Sequence, residues 1–263
     1  SIGDFSIAYY GIIISLGMLC GYLMAVFQAK RTGQDKEMYL DLALWDIVFA
    51  VIGARLYYVI FSWDYYSQNP GEILNIRGGG LAIYGGVIAG VITTFVFSKI
   101  RQVPFLRLAD TACTGLLVGQ IMGRWGNFFN REAFGGYTDS LFAMQIRMSD
   151  VNTSYITDEL YNNVVSYNGI DYIQVHPTFL YESVWNICVL AVILVFTKHR
   201  KYDGQLFLIY LLGYSAGRVW IEGLRTDQLV LFGTGIAVSQ LLSGILAVIA
   251  ATVLIYKFIK SRK

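Results

Sequence analysis

The sequence predicts an all-α polytopic membrane protein: about seven transmembrane helices with a small, partly β extracytoplasmic cap. Three observations carry that prediction. Of 263 residues, 56% are apolar and 14% charged, whereas a soluble domain carries about a quarter charged, and mean hydropathy is +0.52. Seven apolar runs are each about 20 residues long, the length a bilayer requires of a helix. One long polar stretch, at about 131–177, interrupts them. It holds Asp139, Asp150, Asp158, Glu159 and Asp171 besides Glu132 at its start, and alternating pieces such as Phe142-Ala-Met-Gln-Ile-Arg-Met148, which read as short strands. The chain is accordingly expected to form a single integral membrane domain over 1–263, with the cap inserted at 131–177.

The spans are predicted at roughly Ile7–Gln28, Leu42–Trp63, Leu81–Ser98, Leu108–Phe128, Phe179–Thr197, Gln205–Leu224 and Gly235–Phe258. The first is long enough to span rather than to be cleaved as a leader. Lysine and arginine orient them. Lys30, Arg31, Lys36, Lys99, Arg101, Arg107, Lys198, Arg200, Lys201, Lys257, Lys260, Arg262 and Lys263 follow the odd-numbered spans. They are 13 of the 20 basic residues and include all eight lysines. That face is cytoplasmic by the positive-inside rule, so the N-terminus and the cap are expected outside and the C-terminus inside. Cys20, Cys113 and Cys188 sit in apolar runs without a C-x-x-C spacing, which favours buried apolar fillers over a disulfide framework or a metal site.

The remaining seven basic residues are all arginine: Arg55, Arg77, Arg124, Arg131, Arg147, Arg218 and Arg225. An arginine stays charged when partly desolvated, and its planar fork fits phosphate or carboxylate oxygens. Tyr214, Arg218, Glu222 and Arg225 are spaced by four, four and three, which puts them on one helix face. That face reads either as a self-satisfied ion ladder or as a site. Arg218 lies ~20 Å from the inner end of its span, in the outer half. Span four brings Arg124 and Asn127 to the outer edge, and the stretch Gly123–Gly136 adds Asn130, Glu132 and Gly135. The start of span three, Arg77-Gly-Gly-Gly-Leu-Ala-Ile-Tyr84, brings Tyr84 to a similar depth, and span one brings Tyr10. The segment His176–Glu182 contributes His176, Tyr181 and Glu182. Tyr10 and Tyr181 also fit plain interfacial anchors, His176 a brace before Pro177, and Arg55 a structural ion pair. Groups from several spans converging in one stratum of the outer leaflet suggest a site for an anion. Phospholipid headgroups supply phosphate at that depth. Sequence motifs for nucleotide, zinc-protease or serine-lipase chemistry are absent, and neither a metal, a cofactor nor nucleic acid is expected.

At these residues the chain closely resembles the bacterial prolipoprotein diacylglyceryl transferases. The signature G-R-x-G-N-F-x-N-x-E-x-x-G matches Gly123, Arg124, Gly126, Asn127, Phe128, Asn130, Glu132 and Gly135. The Tyr-Gly at Tyr10, the Gly-x-Arg at Arg55, the run His176–Glu182 and the face Tyr214–Arg225 also match, in the same order. The resemblance implies an enzyme of the bacterial plasma membrane. It would move a diacylglyceryl group from phosphatidylglycerol to the lipobox cysteine of a prolipoprotein signal peptide, forming a thioether and releasing glycerol 1-phosphate. This is the first step of lipoprotein maturation. Arg124 and Arg218 carry over as essential arginines, with Asn127, Glu132, Gly135, Tyr10, Tyr214 and Arg225 toward the lipid, and Arg55, His176, Glu182 and Glu222 in support. Many members have His-Gly-Gly where this chain has Tyr84-Gly-Gly, and an essential catalytic role attaches to that histidine. A phenol is a weaker base than imidazole at neutral pH, so Tyr84 is expected to orient the thiol or the phosphate. The competing readings are a transporter or flippase for an anionic lipid or solute, which needs access from both faces, and a lipid-binding scaffold.

Overall fold

A computed structural model of the chain describes residues 9–76, 79–231 and 234–260. Ile7 of the first predicted span, Arg77 and Gly78 before the third, and Arg262 and Lys263 of the basic tail lie outside the described residues. In chain order the elements are α1 (Tyr9–Arg31), α2 (Lys36–Phe61), a single turn α3 (Trp63–Tyr66), α4 (Ile83–Ile100), α5 (Phe105–Asn130), β1 (Met144–Arg147), the short α6 (Asp158–Asn162), β2 (Val165–Tyr167), β3 (Ile170–Val175), α7 (Thr178–Phe196), α8 (Gln205–Glu222) and α9 (Val238–Lys260).

Each predicted span is one long helix. The largest displacement is at the start of α2, six residues before the predicted Leu42. Asp35 caps it, its carboxylate accepting from the Glu37 backbone N–H at 3.0 Å. The helix therefore has a charged first turn that an apolar run cannot reveal. Five of the long helices are apolar enough to cross a membrane: Tyr10–Arg31, Lys36–Phe61, Ile83–Ile100, Thr178–His199 and Val238–Lys260. The other two, α5 and α8, are diluted by the polar residues that build the site described below. Large apolar side chains cover the outer surfaces of these helices, among them Leu23, Ile60, Phe61, Val91 and Val195. Such a surface suits hydrocarbon and not water.

The chain divides into two compact units, residues 25–112 and residues 1–24 with 113–263. In the first, Ala25, Ala29, Tyr39, Leu42, Phe97 and Leu108 form the core. Helices α2 and α4 approach closely because Gly53 and Gly85 face each other. A Cβ on Gly53 would lie 2.3 Å from the Ala89 Cβ, and one on Gly85 would lie 2.4 Å from the Gly53 carbonyl. In the second unit, Cys113 and Leu117 of α5 pack on Val189 and Ile193 of α7 and on Leu206 and Tyr210 of α8. Of the three cysteines expected to be buried, only Cys113 is. Cys20 is half-buried and Cys188 exposed on α7, on the face turned away from the packed core.

The polar stretch does form a partly β cap. Its antiparallel sheet has the order β1-β3-β2, with Met144 opposite Val175 and Val165 opposite Tyr172. Phe134, Ile146, Val151, Leu160, Ile173 and Val175 form its core. The β2–β3 hairpin turns at Asn168-Gly169, both with positive φ (53° and 76°), as that two-residue turn requires.

Candidate active site

The site is built where α5 ends, α7 begins and α8 ends. Its hub is Glu182, in the first two turns of α7, with a side chain 5% exposed. Glu182 Oε1 accepts from Arg218 Nη1 of α8 at 3.0 Å. Glu182 Oε2 lies 3.1 Å from Arg124 Nε of α5, a charge contact whose N–H points off the oxygen. On α8, Arg218 Nη2 pairs with Glu222 Oε2 at 2.5 Å, and Arg225 Nη1, three residues past the helix end, approaches the same oxygen at 3.6 Å. Arg225 then clasps Asp227 through Nε at 2.9 Å and Nη2 at 2.7 Å. Ser239 of α9 donates to Glu222 Oε1 at 2.6 Å.

Three guanidinium groups thus alternate with three carboxylates, all largely buried. Buried charges are tolerated when they are paired in this way. For Arg225, burial works against the charged form. The hydrogen bonds to Asp227 and the negative charges of Asp227, Glu222 and Glu182 outweigh it, and the net pKa is raised. The ion-ladder reading of the Tyr214–Arg225 face is therefore correct as far as it goes, but the ladder extends across helices through Glu182.

Beside it, Arg124 Nη1 donates to Asn127 Oδ1 at 3.3 Å, and Asn127 Nδ2 donates to Glu132 Oε1 at 2.9 Å. Asn130 Nδ2 reaches the same oxygen at 3.3 Å. Among the described residues, Arg124 Nη2 has no hydrogen-bond partner. The signature run therefore folds back on itself, its amides holding Glu132 just past the end of α5. Gly135 has a packing duty. A Cβ there would lie 2.7 Å from the His176 Cβ and 2.9 Å from the Leu224 carbonyl. Its N–H donates to the His176 carbonyl, and Gly136 N–H donates to Leu224. His176 Nδ1 lies 3.2 Å from the Tyr181 hydroxyl, and Tyr181 stacks on Trp220. Tyr10 packs its ring over Gly126, where a Cβ would meet it at 2.8 Å. Tyr214 stacks on Tyr210, whose hydroxyl accepts from Gln120 Nε2 at 2.9 Å.

Tyr84 and Arg55 belong to the unit of residues 25–112. Tyr84 is the second residue of α4 and is exposed. Arg55 departs from the ion pair expected for it. Among the described residues it has no carboxylate partner. It donates instead to four backbone carbonyls, those of Glu72, Ile73, Gly79 and Gly80, at 2.6–3.1 Å. It also lies over the Tyr66 ring, 5.1 Å from its centroid. Arg55 is thus the clamp of the loop that leads into Tyr84.

Sequence reasoning missed Asp227, Ser239 and Tyr210, and gave Glu182 a minor part. Ser239 and Gln240 interrupt the start of an otherwise apolar run, and Asp227 lies two residues past Arg225. Those were the available signals.

The signature carried by this cluster is matched by a family model. The model described as prolipoprotein diacylglyceryl transferase covers residues 1–256. The chain belongs to that family. A phosphatidylglycerol–prolipoprotein diacylglyceryl transferase of Bacillus velezensis is 41% identical over 261 residues, covering 98% of this chain and 91% of that protein. Proteins of the same name from Bacillus licheniformis and Listeria monocytogenes serotype 4b are 40% and 41% identical, covering 100% and 98% of this chain and 92% and 88% of their own lengths. Membership makes the chain a transferase, and its apolar helices make it a multi-pass membrane protein of a bacterium.

Proposed function

We propose that this transferase moves the diacylglyceryl group of phosphatidylglycerol to the thiol of a lipobox cysteine in a prolipoprotein signal peptide, forming a thioether and releasing glycerol 1-phosphate. The observation that carries the reading is the buried junction of Arg124 and Arg218 at the shared carboxylate of Glu182. A family transferring lipid from a phosphodiester needs a fixed cationic fork where the phosphate leaves, and among the described residues this is the junction where two helices aim arginines at one carboxylate. We place all seven long helices across the plasma membrane, with the N-terminus and the cap outside and the C-terminus cytoplasmic, following the distribution of lysine. No observation favours transport.

In this reading the phosphate oxygens take the position that the Glu182 carboxylate holds. Arg124 Nη2 supplies a further donor. The substrate thiol, as thiolate, attacks the glyceryl carbon bearing the phosphate. The carbon–sulfur bond forms as the carbon–oxygen bond breaks, and the electron pair leaves with the phosphate. Charge accumulating on its oxygens meets guanidinium groups already oriented in a poorly hydrated site, which lowers the barrier without reorganisation. The resemblance gives Tyr84 the place of the family's histidine, and the part assigned to its hydroxyl is to orient the thiol or the phosphate. Asn127 and Glu132 fix the Arg124 side of the fork, and Tyr10, Tyr214, Gly135, Arg225, Glu222 and His176 hold its surroundings; Arg55 supports Tyr84 by clamping the loop before it.

The test is purified protein in phosphatidylglycerol-containing vesicles with a lipobox peptide, read by mass spectrometry. A gain of one diacylglyceryl group, lost when the peptide cysteine is replaced by serine, is the expected result. An unmodified peptide with correctly folded protein refutes the proposal.

A further inference from the structure

The two ends of the cap sheet carry turns of opposite chemistry. At one end the β2–β3 hairpin turns on Asn168-Gly169, exposed and polar, as turns in water usually are. At the other end the chain turns tightly at Ser140-Leu141-Phe142-Ala143, closed by the Ala143 N–H donating to the Ser140 carbonyl at 2.9 Å. Its two central residues are Leu141, 94% exposed, and Phe142, 66% exposed. Leucine and phenylalanine at the centre of an exposed turn run against every local preference for that position.

The topology says what surrounds them. Tyr137 and Met144 both pair with Val175, on opposite sides of β3. The segment between them therefore wraps the Val175 end of the strand, and Gln174 Nε2 pins it by donating to the Thr138 carbonyl at 2.8 Å. From Val175 the chain passes through His176 and Pro177 straight into α7, an apolar span, at Thr178. Three residues of extended chain, about 10 Å, separate the paired position from the span. Asn168-Gly169 is at the far end of the same strand. The apolar turn thus emerges on the membrane side of the cap and the polar turn on the other. The α8–α9 loop, at the same end of the bundle, also exposes apolar side chains, at Leu229, Val230 and Leu231.

We infer that Leu141 and Phe142 form an interfacial anchor. The turn dips into the lipid surface around α7 and fixes the cap against the outer face of the bilayer, its partner being phospholipid itself. An aromatic and an aliphatic side chain at that level sit where headgroups meet acyl chains. The inference uses the membrane crossing of α7 and does not depend on the proposed reaction.

The test uses a variant with Cys20, Cys113 and Cys188 replaced by alanine. A nitroxide is attached singly through Leu141→Cys, Phe142→Cys or Asn168→Cys in phosphatidylcholine vesicles, with folding checked by size exclusion and circular dichroism. Labels at 141 and 142 are expected to be relaxed more by oxygen than by a water-soluble nickel chelate, and the label at 168 the reverse. Having two positions in the turn keeps the test decisive if one variant does not fold. Equal nickel access at all three positions overturns the inference. Protection at 141 and 142 that arises only when a lipobox peptide is added also overturns it, because the occupant is then peptide and not lipid.

Discussion

Replacing Glu182 by glutamine asks whether phosphate and carboxylate compete for one place. The Glu182 carboxylate is 5% exposed and touches Arg218 at 3.0 Å and Arg124 at 3.1 Å. Removing one member of a buried charge cluster costs about 3–5 kcal/mol, because its partners are left uncompensated. Glutamine has nearly the same shape and keeps one acceptor oxygen, so roughly 2 kcal/mol of that loss is expected to remain. In the lipid-free variant the two guanidinium groups face each other across a neutral amide, and thermal stability in a zwitterionic detergent falls accordingly. If phosphate replaces the carboxylate, the wild type gives up the ion pairs on binding lipid and the variant does not. The variant then binds phosphatidylglycerol more tightly, by ~2 kcal/mol or about thirtyfold.

Titrating phosphatidylglycerol into phosphatidylcholine nanodiscs, with bound lipid counted by native mass spectrometry, reads that change directly. The same lipid should close most of the gap in unfolding temperature between the variant and the wild type. Unchanged or weaker affinity in Glu182→Gln refutes the exchange. It would mean that phosphate adds to the outer donor, Arg124 Nη2, and leaves the carboxylate in place. Asp227→Asn is the internal comparison. Among the described residues Asp227 pairs with Arg225 alone, so that variant is expected to lose stability without gaining lipid affinity.

Three further outcomes are expected. Arg218→Ala lowers turnover roughly a hundredfold, the usual cost of one charged donor to a developing anion. Arg218→Lys recovers little, because a point charge does not replace a fork that contacts Glu182 and Glu222 together. Near-normal turnover of folded Arg218→Ala removes it from the reaction. In a cysteine-free variant, Ser154→Cys reacts with an impermeant thiol reagent on intact cells and Lys201→Cys does not; the reverse pattern overturns the orientation. Tyr84→Phe loses most thioether formation while Tyr84→His keeps appreciable activity. Equal rates for Phe and Tyr deny the hydroxyl a chemical role and leave His176 and Glu132 as candidate proton acceptors.

What was legible in the sequence, and what was not, follows from the range of each interaction. A span announces itself by some twenty apolar residues in a row, so each long helix stands where its run predicts. The spacing of Arg218 and Glu222 is local to one helix, and their ion pair is as the spacing foretold, whereas Arg225 lies past the end of α8 and reaches Glu222 from the turn beyond it. Helix ends defined by capping were missed at Lys36, because a charged first turn and a loop have the same composition. Arg55 was misjudged for a related reason. A carboxylate partner would have shown in the sequence as a letter, but the partners it uses are backbone carbonyls, which every residue possesses.

Glu182 is the least legible of the site residues and the most consequential. The run His176–Glu182 marks it as a family residue, but nothing within ten residues shows that it is more than a supporting carboxylate at the mouth of an apolar helix. Its role comes from Arg124, 58 positions earlier, and Arg218, 36 positions later, meeting at its two oxygens. In the sequence, seven arginines outside the lysine-rich face read as a site for an anion. The structure pairs Arg124, Arg218 and Arg225 with Glu182, Glu222 and Asp227, so the cluster is formally neutral before any lipid arrives. A neutral cluster can be assembled inside a bilayer, where three unpaired guanidinium groups cannot. The carboxylate that allows the site to fold is then the one that phosphate has to displace, and the strength of the fork cannot be raised without also raising the cost of opening it. That coupling is why Glu182→Gln is expected to move stability and lipid affinity in opposite directions, an outcome that neither a purely structural nor a purely electrostatic role for Glu182 would produce.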